Sequence, residues 1–137
     1  MENHYQLSDI EFETSFENCG FEVSMFSHEA HLRLAWIHIR RYGPAIAEKN
    51  VSDQLRAYTK HVGAADKFNL TLTIAAVKAV YHFYLRYQGI DFKDFIHNSP
   101  LLMDDFKGLM DRHYRMDIFS SELARQRYLV PDLAPFD

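Results

Sequence analysis

The stretch Phe26-Ser27-His28-Glu29-Ala30-His31-Leu32-Arg33-Leu34-Ala35-Trp36-Ile37-His38 decides how the chain is read. Ser27 is a good helix N-cap, because its hydroxyl can accept from an otherwise unpaired amide of the first turn. Phe26, just outside, can fold back on that turn as a hydrophobic staple. At about 100° per residue, His28, His31, Leu32, Ala35, His38, Ile39 and Tyr42 share one arc, while Glu29, Arg33, Arg40 and Arg41 fall opposite. The pattern predicts an amphipathic helix over about 28–42, with three histidines on its buried stripe and the charges in solvent. The positive end of the helix dipole disfavours imidazolium at His28 and His31. Neutral imidazole is the form that binds metals or acts as a base. Two readings of the histidines stand side by side: core groups hydrogen-bonded to backbone or to each other, and members of a site.

Upstream, Leu7-Ser8-Asp9-Ile10-Glu11-Phe12 carries a capping box, Ser8 with Glu11 three residues on. It predicts a helix over about 9–18, with Phe12, Phe16 and Cys19 on one side and Gly20 as its stop. Downstream, Gly43-Pro44 ends the histidine helix and starts the next, since proline's missing N–H costs nothing in a first turn. Ala47, Val51, Leu55, Tyr58 and Val62 then repeat at helical spacing to a stop at Gly63. A long helix over about 70–88 follows, apolar around much of its circumference and read as the central, most buried one. Residues 91–96 suit one turn, and 101–113 a further helix with Leu101, Leu102, Phe106, Leu109 and Met110 inward. Ser120 or Ser121 can cap a last short helix to about Tyr128, and the prolines of Val130-Pro131-Asp132-Leu133-Ala134-Pro135 keep the tail extended. The expectation is an all-α protein, one domain over 1–137, with a compact four-helix core and short helices at either end.

At 137 residues the chain can bury a core, and 47% hydrophobic with 15% aromatic residues argues against disorder. One cysteine, Cys19, excludes an internal disulfide and any zinc site built from several cysteines. No apolar run reaches the roughly 18 residues of a membrane span, and no signal pattern opens the chain, so a cytoplasmic protein without a membrane partner is expected. The net charge of -4 hides an asymmetry. Residues 1–32 hold seven Asp/Glu and no Lys or Arg; the remainder carries fifteen Lys/Arg against twelve Asp/Glu, a net of +3. The acidic N-terminal part is expected to cover an apolar or basic face of the helices. Neither the total charge nor any basic cluster suggests a nucleic-acid partner.

Short connections imply antiparallel neighbours, which lets heights be compared at about 1.5 Å per residue. His28 lies 15 residues before Gly43 and His61 lies 18 after it, so both fall at one level. The same reasoning collects His28, His31, His61, Lys67, Asn69, Thr71, His113 and Tyr114 at one end of the bundle, with His38 and His82 roughly 15–18 Å lower. Imidazoles converging between helices could hold a divalent transition metal such as Zn or Fe, with His28, His31 and His61 as ligands. A metal-free acid–base pocket would use the same groups, with His28, His31 and Lys67 catalytic and Asn69, Thr71, His113 and Tyr114 on the substrate. Glu29 faces away, and no HExxH pattern, phosphate loop, nucleophile elbow or cysteine–histidine pair is present.

Phe26-x-His28-x-x-His31-Leu32-x-x-Ala35-Trp36 resembles the opening F-x-H-x-x-H-L-x-x-A-W of a group of small bacterial proteins. The resemblance continues at Lys67-Phe68-Asn69-x-Thr71-x-Thr73, where such proteins often read K-Y-H-x-T-x-T, at Ser121-x-x-Ala124-Arg125 and at Val130-Pro131-Asp132-Leu133. It carries no activity over. It does mark a departure: Asn69 stands where a histidine is expected, and asparagine is a poor transition-metal ligand. Two functions are thus expected in parallel. One is an enzyme acting on a small organic molecule by metal or histidine acid–base chemistry. The other is a non-catalytic module that binds a small ligand or forms a homo-oligomer, its histidines structural.

Overall fold

The computed structural model describes residues 3–136, whose regular structure is entirely helical, as the patterning predicts; no strand occurs among the described residues. The chain divides into two compact units, one ending at Phe68 and one beginning at Asn69.

The first unit holds α1 (Asp9–Glu17), α2 (His28–Tyr42) and α3 (Pro44–His61), with single 3-10 turns at Asn3–Gln6, Val23–Met25 and Ala65–Lys67. The predicted starts are all present. Ser8 Oγ accepts from Glu11 N–H at 3.2 Å while Ser8 N–H donates to Glu11 Oε1 at 2.8 Å. Ser27 Oγ accepts from Ala30 N–H at 3.1 Å. Gly43, at φ 86°, reverses the chain so that Pro44 opens α3. The stop of α1 differs from expectation. Cys19, at φ 60°, takes the left-handed position rather than Gly20, and Gly20 and Phe21 both donate to Ser15 C=O.

The core of this unit is aromatic. Phe16 stacks on Phe21 with centroids 4.3 Å apart and meets Tyr58 at 5.2 Å. The buried Tyr58 hydroxyl is satisfied by Phe21 C=O at 2.8 Å, the pairing a buried phenol needs. The helical wheel misplaces Arg33: it is 4% exposed, not in solvent. Its guanidinium donates to His4 C=O (2.7 Å), Leu7 C=O (2.8 Å) and Asp9 Oδ1 (2.9 Å), and lies 4.6 Å from the Phe12 ring centre. Because arginine only donates, His4 Nδ1 accepts from it, and His4 Nε2–H donates to Glu29 Oε1 at 2.8 Å. Glu13 pairs with Arg41 at 3.1 Å and accepts from the Tyr42 hydroxyl at 2.5 Å. The acidic N-terminal segment therefore lies on the basic residues of α2, and it covers the side that the wheel left to water.

The second unit holds α4 (Leu70–Arg86), α5 (Phe92–His97), α6 (Leu101–Asp104), α7 (Phe106–Asp111) and α8 (Glu122–Gln126). Asn69, Asp91, Asp105 and Ser121 each accept a first-turn amide as N-caps. The single helix expected over 101–113 is broken at Asp105, whose φ of -149° leaves the helical region so that its carboxylate can cap Gly108 N–H. α4 is buried at Thr71, Thr73, Ala75, Ala76, Val77, Ala79 and Val80; from Tyr81 to Tyr84 it is half-buried, and from Leu85 exposed.

Candidate functional site

The histidines of α2 have three different surroundings. His28, expected on the buried stripe, is exposed. His31 is half-buried, yet its Nε2 is enclosed without a hydrogen-bond partner, and burial, helped by the neighbouring His28, holds its pKa down to about 4. The ring stays neutral at physiological pH. His38 is fully buried. Asn50 Nδ2 approaches its Nδ1 at 3.4 Å, its Nε2 has no partner, and burial lowers its pKa against the pull of Glu13. His61 and Lys67 are exposed. Among the described residues no three of His, Cys, Asp or Glu are placed to hold one metal ion, so His28, His31 and His61 do not form a ligand set.

In the second unit, the four residues expected to contact substrate are occupied with the chain itself. Asn69 caps α4 with Oδ1 and donates through Nδ2 to Ile118 C=O at 2.7 Å. Thr71 Oγ1 donates to Arg127 C=O at 2.7 Å and accepts from Leu129 N–H at 3.0 Å. The Tyr114 hydroxyl donates to Leu129 C=O at 2.9 Å, and burial with a hydrogen bond to Tyr128 raises its pKa. His113 Nδ1–H donates to Ala134 C=O at 2.8 Å, and its ring stacks on Phe136 with centroids 3.9 Å apart. Thr71, His113 and Tyr114 together hold residues 127–136 against the start of α4 and the turn after α7. The extended tail expected from its prolines is thus an anchored strap.

That strap closes one side of a cleft of about 310 Å³. The C-terminal half of α4 supplies Ala79, His82, Phe83 and Arg86; the end of α7 and the turn after it supply Leu109, Arg112 and His113; the strap supplies Ala134 and Phe136. Two imidazoles and two guanidiniums stand among apolar walls, and no carboxylate among the described residues lines the space. Among the described residues no acid pairs with Arg86 or Arg112; Asp111, beside Arg112 in sequence, pairs with Lys107 at 3.3 Å. Tyr114 lines a second, wider depression with Met116, Leu123, Tyr128 and others.

Of the expected site residues only His113 lines the cleft. His82, Arg86 and Arg112 join it without having been singled out as site residues. Their signal was present as His82 and Arg86 at i, i+4, one face of one helix, and as the adjacent pair Arg112-His113. What lacked a sequence signature was the return of the strap that encloses them. No family model, curated protein or solved structure matches the chain.

Proposed function

We propose that the protein is a small-molecule-binding helical module and that its ligand is a small organic anion held in the cleft of the second unit. The observation that carries this reading is the presence of Arg86, Arg112, His82 and His113 around an apolar space with no acid among the described residues of its lining. Guanidinium is weakly hydrated and offers paired donors to a carboxylate or phosphate, while apolar walls with a few placed polar groups are the usual make-up of small-ligand sites. The reading departs from an enzyme built on His28 and His31. One of those nitrogens is sealed without a partner, the other ring stands at the surface, and Asn69 and Thr71 are engaged by the backbone.

The test is calorimetric titration of the full chain with benzoate, cyclohexanecarboxylate and inorganic phosphate, beside the Arg86→Ala/Arg112→Ala double variant. At least one anion should bind the wild type, and the variant should weaken it by on the order of 10–100-fold, the worth of one or two charge-assisted hydrogen bonds. Raised salt should weaken it as well. Equal affinity in wild type and variant would refute the assignment.

A further inference from the structure

We infer that the anion this cleft accepts is planar and aromatic, a one- or two-ring carboxylate or phosphate whose ring lies against the His113–Phe136 stack while its charge meets Arg86 and Arg112. The inference rests on the anion-site reading above and adds the chemistry of the ligand's body.

The cleft is bordered by four π systems, His82, Phe83, His113 and Phe136. Two of these already form a platform, their rings 24° from parallel with centroids 3.9 Å apart. The platform is fixed in place, because His113 Nδ1–H is tied to Ala134 C=O and Leu133 N–H to His113 C=O at 3.0 Å. Phe83 stands nearly perpendicular to His82, at 87° and 5.1 Å, so the part of the lining that α4 supplies holds two rings in an edge-to-face pair. A flat ring can stack on such a platform and meet such an edge in the offset and T-shaped arrangements that aromatic pairs prefer. A rigid platform also removes the ordering penalty that a flexible wall would add on binding. The volume of about 310 Å³ sits at the low end of small-molecule sites, which suits one or two rings and not an extended chain.

The experiment compares benzoate with cyclohexanecarboxylate, equal in charge and close in size but saturated, by ¹⁵N-shift titration of the full chain. Benzoate should bind at least 5–10-fold more tightly, in the range of one aromatic pair, with shifts centred on Arg112, His113 and Phe136. Phe136→Leu keeps an apolar wall and should bring the two ligands to near parity. Equal affinities in the wild type overturn the aromatic inference and leave the anion site standing. A benzoate preference that persists in Phe136→Leu and Phe83→Leu also overturns it, since the ring would then lie elsewhere. No binding by either acid or by inorganic phosphate overturns both readings.

Discussion

The two halves of the chain use the same residue types in opposite ways. In the first unit, Arg33, His4, His31 and His38 are folded inward: the arginine is clamped by two backbone carbonyls and a carboxylate, and His31 and His38 each keep an enclosed nitrogen without a partner. In the second, Arg86, Arg112, His82 and His113 border an open space. A count of histidines favours the first unit's α2. Accessibility favours the second unit's cleft. The contrast teaches that imidazole density marks a site only where the nitrogens can be reached; where they cannot, the same rings act as core, and their chemistry appears as pH-dependent stability.

The contrast can be broken most forcefully at Arg33. Arg33→Ala removes a buried cation and leaves the His4 and Leu7 carbonyls without their donor, while the half-exposed Asp9 carboxylate turns to water, and should destabilise the protein by about 2–4 kcal/mol in urea denaturation. A loss below about 1 kcal/mol would mean that the N-terminal segment does not depend on this guanidinium. Next comes pH. His31 has its folded-state pKa depressed to about 4, so the unfolded chain takes up the proton first. Its contribution is intact above about 6.5 and is lost as pH falls from there toward 4, on the order of 3 kcal/mol in all. His31→Leu should flatten that slope, and the part that remains belongs to His38, whose shift has the same direction. An unchanged slope in the variant would contradict the burial of this ring.

A smaller effect is expected at Thr71. Thr71→Val keeps the shape and removes both hydrogen bonds to the strap, so stability should fall by about 1–2 kcal/mol, and the Leu129 amide should exchange with solvent faster. Unaltered exchange would free Thr71 for a role toward ligand. The smallest effect belongs to the arginines of the cleft: Arg86→Ala/Arg112→Ala should stay within about 0.5 kcal/mol of wild type. A large loss there would make them structural, like Arg33, and would erase the difference between the two halves.

Local signals were legible in the sequence because their causes are local. Ser8, Ser27 and Ser121 act within three residues of themselves, and Gly43-Pro44 sets its own turn, whereas the cap at Asn69 reads in the sequence as a substrate contact. The break at Asp105 was hidden because Leu101, Leu102, Phe106, Leu109 and Met110 satisfy an unbroken helical period as well as a broken one. Arg33 was misplaced because the wheel knows one buried face, whereas α2 is covered on a second side by the segment that precedes it. The α2 histidines drew attention through spacing alone, and spacing carries no information about what encloses a nitrogen. The cleft escaped because three separated pieces build it, and the last of them is held by side chains whose partners are backbone carbonyls, invisible in any motif.

The chain has a single tryptophan, Trp36, which is 1% exposed in α2 with the Arg40 guanidinium 5.0 Å from its ring centre. It is a built-in emitter confined to the half of the chain other than the one that holds the cleft. Its fluorescence follows the unfolding of α2 directly. It registers events at Arg86 and Arg112 only to the extent that the two halves melt or respond as one. Intrinsic emission, run beside a helix signal in the same denaturation, therefore measures how cooperative the halves are without any label being added.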